Sequence, residues 1–234
     1  MFLSNQNKIR WHRLTWVTLV VAILVVLGIF WIDKPIAEFM RQFNCWLFRM
    51  FQVLFDAWTW LFVFGIAMLY VYVIKTFHSW NEFKCWIKSF KLSNAWQDFI
   101  TKMKTNNSFL VFCSVLIASV TGQILKFIIG RVRPDYIPEG LELFGDSLQL
   151  RAFIPMSMSD WYHSMPSGHA IATFAGLVMI GMLKPKYKWL TWVLAILVGL
   201  SRLALARHWF SDVLFGAFIG MVVADFVLAF ARKK

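Results

Sequence analysis

The sequence predicts an all-α polytopic membrane protein, with six transmembrane helices in a single domain over residues 1–234. Composition is the first observation behind that expectation. The chain is 59% apolar, 18% aromatic and only 15% charged, where water-soluble domains run at roughly 45–50% apolar and about 25% charged. The second observation is that the apolar excess falls in long runs, so the bilayer is the expected solvent. Together these exclude a disordered chain, a disulfide-stapled secreted module and an ordinary cytosolic globule. Three cysteines, Cys45, Cys85 and Cys113, show no paired or metal-ligand spacing.

The first apolar run, 14–32, follows a basic start and resembles a signal peptide, but it is long and ends at Asp33-Lys34-Pro35 without a small-x-small site. It reads as a retained helix. An aromatic, partly amphipathic stretch at 43–55 precedes the second span, 57–74, and suits the membrane interface. Residues 78–107 follow, with Trp80, Phe83, Trp86, Phe90 and Trp96 among lysines. Both an interfacial helix on an anionic leaflet and an ordinary cytoplasmic loop account for that pattern. The remaining spans are 108–129, 167–183, 189–206 and 211–230. Between the third and fourth lies the longest outer loop, 130–166, punctuated by Pro134, Pro138 and Pro155.

Charge sets the orientation. With both termini inside, the cytoplasmic segments hold fifteen of the 24 Lys and Arg residues, while nine of the 12 acidic residues fall on the outer side. The positive-inside rule therefore gives N-in, C-in. The net charge of +12 is read as this topology signal rather than as a nucleic-acid footprint.

Three clusters place ionisable groups at helix ends on the outer side, where such groups are costly and mark function. Lys126 to Arg133-Pro134 closes the third span. Lys126 reads either as a snorkelling lysine or, with Arg133, as an anion clamp in which a flexible point charge accompanies a rigid fork. Pro166-Ser167-Gly168-His169 opens the fourth span. Pro and Ser make an ordinary helix start, but His169 is unexplained by that, and a helix N-terminus with a small Gly cradles phosphate. Ser201-Arg202 to His208 and Asp212 joins the fifth and sixth spans. His208 and Asp212 share a helix face at i and i+4, where a carboxylate can orient an imidazole; a lone pair of this kind is more often a structural contact. No acidic or histidine-rich ligand set accompanies these groups, so neither a metal nor any other cofactor is expected. A cation-rich site with a nucleophile-like histidine suits phosphate.

The three clusters, K-x6-R-P, P-S-G-H and S-R-x5-H-x3-D, resemble the signature of the type 2 phosphatidic acid phosphatases, integral-membrane lipid phosphatases. Every spacing is kept, across motifs at 126–134, 166–169 and 201–212. The resemblance implies that His208 is the nucleophile forming a phosphohistidine, that Asp212 orients and charges it, and that His169 is the general acid and then the base. It implies that Lys126, Arg133, Ser167, Gly168 and Arg202 bind the phosphoryl oxygens, without metal. Outside the motifs, Arg131 and Arg207 are read as headgroup anchors in preference to a second phosphate site. His163 and Asp160 are read as loop residues, and His12 and His78 carry no chemistry.

The leading expectation is a lipid phosphatase acting on phosphomonoester or diphosphate headgroups at the outer, periplasmic face of a bacterial inner membrane. Undecaprenyl diphosphate and lipid A phosphate rank first as substrates, then phosphatidylglycerol phosphate and phosphatidic acid. A lipid phosphotransferase would share the phosphohistidine. A non-catalytic anion or lipid transporter is the reading of another class; it would leave the His208–Asp212 spacing unused, and the sequence shows no internal repeat. The expected partners are the lipid substrate and the bilayer, not nucleic acid, and the sequence leaves oligomeric state open.

Overall fold

The computed structural model describes residues 2–4, 8–76, 105–135 and 153–232. Its regular structure over those residues is all helical, the only bridges among them being the isolated pairs Leu3–Ile9 and Arg131–Phe153. The 78–107 segment falls almost wholly outside the described residues, as does most of the long outer loop.

The first span is longer than its apolar run. Helix α1 (Trp11–Leu27) passes through one wide π turn (Gly28–Ile32) into α2 (Asp33–Met40), and the helical rod runs 33 residues to Phe43. Pro35 has no N–H for the ladder, and the wider turn stands immediately before it. The extension carries Asp33 inward. Asp33, one of the nine acidic residues assigned to the outer side, is buried against the start of the last helix. Gly28 makes that approach possible, since a Cβ there would stand 2.8 Å from the Ser211 Cβ.

Helix α3 (Trp46–Leu54) buries none of its residues and bends by 49° into α4 (Ala57–Thr76). Helix α5 (Asn107–Ile129) is capped by Asn106, whose side-chain oxygen accepts from Ser108 N at 3.0 Å. It ends at Gly130, whose φ of 62° is open to glycine, and a Cβ there would strike the Ile154 carbonyl. Helices α6 (Gly168–Leu183), α7 (Lys188–Ala204) and α8 (Phe210–Ala231) complete the bundle.

Helix α6 is the central post. Nearly every residue from Ala170 to Met179 is buried, against α4, α5, α7 and α8. Its contact with α8 is backbone-close: Cβ atoms at Gly216 and Gly220 would stand 2.7 Å from the Ser167 carbonyl oxygen and 2.5 Å from that of Ile171. This small-xxx-small spacing lets helices approach where lipid offers no hydrophobic drive to associate. Surrounded by protein, α6 needs less length than a lipid-facing span. Its 16 residues rise only about 24 Å, against a hydrocarbon core of roughly 30 Å.

The expected six spans are therefore met in part. Four helical stretches are long and apolar enough to cross a membrane, and the bent α3–α4 pair makes a fifth. The start of α1 lies beside the end of α8, with the Trp11 and Phe226 rings 5.9 Å apart and Phe2 N donating to the Asp225 carboxylate. The ends of α5 and α7 and the starts of α6 and α8 gather at the opposite end of the bundle.

Candidate active site

At that end lies a cavity of about 350 Å³ whose walls include Lys126, Arg133, Gly168, His169, Arg202 and His208. Residues from three separate motifs thus share one space. Lys126, in the last turn of α5, is only 9% exposed and points at the start of α6: a Cβ on Gly168 would sit 3.1 Å from its ammonium nitrogen. Of the two readings of Lys126, the snorkelling one is excluded by this burial. Arg133 is held by its Nε–H, which donates to the Asp160 carbonyl at 2.9 Å. Asp160 and His163 do keep to the loop, His163 bonding to the Ser157 carbonyl.

Arg202 is the most exacting member. It is 2% exposed, and its Nε and Nη1 have no hydrogen-bond partner. A buried guanidinium with unused donors is costly unless an anion completes it. Ser201, its neighbour, instead donates to the Val198 carbonyl within its own helix. At the start of α6 no side chain caps the helix, and the first intrahelical bond is Ile171 N to the Ser167 carbonyl. The N–H groups of Gly168 and His169 therefore have no acceptor within the helix. Ser167 Oγ is fully buried and also lacks a partner, while its N–H donates to the Asp212 carbonyl.

His208 sits in the short connection between α7 and α8. Its Nδ1 lies 2.8 Å from the Ser164 carbonyl. A carbonyl only accepts, so Nδ1 carries the proton and Nε2 keeps its lone pair. Burial first, then the charges of Arg202, Lys126 and Arg133, pushes this imidazole well below the usual histidine range, which favours its neutral form. A neutral imidazole with a fixed tautomer is a competent nucleophile.

Asp212 departs from its expected position. It does not touch His208, and its carboxylate accepts from Arg131 Nη1 at 2.6 Å, Ser164 Oγ at 2.5 Å and Trp209 N at 2.9 Å. Direct orientation of His208 by Asp212 is thus replaced by an indirect link: Ser164 gives its hydroxyl to Asp212 and its carbonyl to His208. Arg131 is likewise corrected. Far from anchoring headgroups, it is fully buried, with ion pairs to Asp212 and to Asp33 at 2.7 Å and a bond to Ser211 Oγ at 2.6 Å. Arg207 is partly exposed at the cavity, paired with Asp135 at 3.0 Å.

Ser164, Gln52 and Asp56 were not singled out by sequence. His169 Nε2 lies 2.9 Å from the Gln52 carbonyl and 3.5 Å from Asp56 Oδ1. Both partners come from the α3–α4 corner, more than a hundred residues away, and only the acidic character of Asp56 was visible beforehand.

The bundle and its pocket define a helical membrane protein with a cavity lined by buried cations. The family model described as the PAP2 superfamily matches residues 108–234, over half of the chain, and the chain belongs to that superfamily. A lipid A 1-phosphatase of Rhizobium johnstonii is 30% identical over 126 residues, covering 52% of this chain and 47% of that protein. An undecaprenyl-diphosphatase of Sulfolobus acidocaldarius is 29% identical over 108 residues, covering 46% and 47%. The chain thus spans about half the length of these curated relatives. A crystal structure of a transmembrane PAP2-type phosphatidylglycerolphosphate phosphatase from Bacillus subtilis shares the fold, with a TM-score of 0.54, 18% identity and coverage of 94% of this chain and 96% of that one.

Proposed function

We propose that the protein is a metal-independent membrane lipid phosphatase that hydrolyses phosphomonoester or diphosphate headgroups through a phosphohistidine on His208. The unpartnered donors of buried Arg202, beside a neutral His208 whose Nε2 is free, carry this reading. Lys126, Arg133, Arg202, Ser167 and the Gly168 backbone bind the phosphoryl oxygens and stabilise the charge that builds as the phosphorus becomes five-coordinate. His208 Nε2 attacks phosphorus, and His169 protonates the departing oxygen. His169 then takes a proton from the water that releases phosphate.

The names of the relatives support undecaprenyl diphosphate and lipid A phosphate as first candidates, then phosphatidylglycerol phosphate; phosphatidic acid follows them as a candidate. The excess of Lys and Arg on the terminal side of the bundle supports N-in, C-in and a periplasmic site at the inner membrane. Phosphate release from these lipids by detergent-purified protein, with excess EDTA, tests the reaction. Metal-independent release that His208→Ala abolishes is the expected result. A base-stable, acid-labile phosphoryl label on the wild type would mark the intermediate. No phosphate release from folded protein, with the phosphoryl group appearing instead on an added acceptor lipid, would replace hydrolysis by phosphotransfer.

A further inference from the structure

We propose that Asp56 is the positioning residue for His169, and that with the Gln52 carbonyl it sets which nitrogen exchanges protons and offsets the charge of the protonated ring. The inference rests on the phosphatase reading above. Because the Gln52 carbonyl can only accept, His169 Nε2 carries a proton towards the α3–α4 corner. The opposite nitrogen, Nδ1, is then the one that gives a proton to the leaving group.

That donation requires an imidazolium in a cavity already holding Lys126, Arg133 and Arg202. Each of these cations opposes a further positive charge. Asp56 is the carboxylate that meets the ring, and it lines the same cavity. Its geometry is fixed from behind: Oδ2 accepts from Trp58 N at 3.0 Å in the first turn of α4, where the helix N-terminus favours negative charge. One oxygen caps α4 while the other faces His169. The bend between α3 and α4, otherwise a mere break in an apolar span, delivers this carboxylate to the site.

The proton balance closes over both halves of the reaction. As the lone pair of His208 Nε2 forms the N–P bond, the P–O bond to the lipid breaks and its electron pair stays on oxygen. The Nδ1 proton of His169 passes to that oxygen, leaving a neutral ring with Nε2–H still on Gln52. In the second half water attacks phosphorus, Nδ1 takes the water's proton, and the P–N bond breaks with its pair returning to His208. His169 is an imidazolium again, facing Asp56.

The test separates charge from capping. Asp56→Asn keeps an acceptor for Trp58 N but loses the carboxylate; Asp56→Glu keeps the charge. Full-length protein in detergent is assayed with dioctanoyl phosphatidic acid, whose leaving alcohol needs a proton, and with p-nitrophenyl phosphate, whose phenolate departs without one. For Asp56→Asn, kcat on the lipid is expected to fall roughly 10-fold to 100-fold, within the share of a rate that a positioned acid supplies. KM changes little, the loss on the aryl ester is several-fold smaller, and Asp56→Glu recovers part of the lipid rate. Equal losses on both substrates, or no loss on either, would overturn the role of Asp56 while leaving the phosphatase reading intact. If wild type hydrolyses neither ester, or His208→Ala hydrolyses both, the phosphatase reading fails and the Asp56 role with it.

Discussion

Two buried arginines, Arg131 and Arg202, stand at the same end of the bundle in opposite states. Arg131 is surrounded by acceptors: Asp33, Asp212 and Ser211 meet its terminal nitrogens, and the rings of Phe153 and Trp209 lie within 5.8 Å. Arg202 has equally little exposure, yet two of its nitrogens bond to nothing. A cation neutralised by buried carboxylates contributes to architecture, whereas one whose buried donors lack a protein acceptor is costly until an anion completes it. The lesson concerns sequence as much as structure. Arg131 and Arg133 lie two positions apart in one motif, but Arg131 ties Asp33 and Asp212 together while Arg133 faces the cavity.

The largest expected effect is at His208, the proposed nucleophile. His208→Ala is expected to abolish phosphate release while circular dichroism and thermal unfolding stay near wild type; appreciable turnover by the folded variant would remove the nucleophile. Next in size is Arg131→Met, which strands two buried carboxylates. Losing one member of a buried ion network costs about 3–5 kcal/mol, so a clearly lower unfolding temperature is expected, and unchanged stability would break the comparison. Asp212→Asn belongs to the same group, lowering stability and activity together, because Asp212 acts on His208 only through Ser164.

Arg202→Lys should separate the two classes. A lysine keeps the charge but not the planar fork, so activity is expected to fall roughly tenfold or more, the scale of one lost stabilising donor. Thermal stability should hold, since no protein acceptor is abandoned. Stability loss equal to that of Arg131→Met would put Arg202 in the architectural class. Smallest is Arg207→Gln. Its pair with Asp135 is partly exposed, where such bridges are worth about 0–1 kcal/mol; a large loss of phosphate binding would show that Arg207 reaches the substrate.

The sequence displayed the parts of this fold that depend on local composition. Apolar runs located α4, α5, α6, α7 and α8 to within a few residues, because lipid solvation selects for runs that need no distant partner. The same logic misplaced the end of the first span. Asp33-Lys34-Pro35 looks like a helix terminus by composition, but the helix continues because Arg131 and Ser211 receive the aspartate. Hydropathy also treated α6 as one more span, although burial on all sides lets it be shorter.

Lys126, Arg133, His169, Arg202 and His208 were individually recognisable because each is an expensive group at a membrane helix end, set at a definite spacing, with Gly168 marked only by its place in the second motif. That they converge on one cavity follows from helix packing, with Gly216 and Gly220 drawing α8 onto α6. Which neighbour each group takes is a long-range matter: Asp212 to Arg131, His208 to the Ser164 carbonyl, His169 to Gln52 and Asp56. Residue type and spacing therefore determined which groups are candidates for the chemistry. The tertiary structure alone decided which buried charges are neutralised and which are left free, because pairing energy depends on distances between residues that the chain order does not constrain.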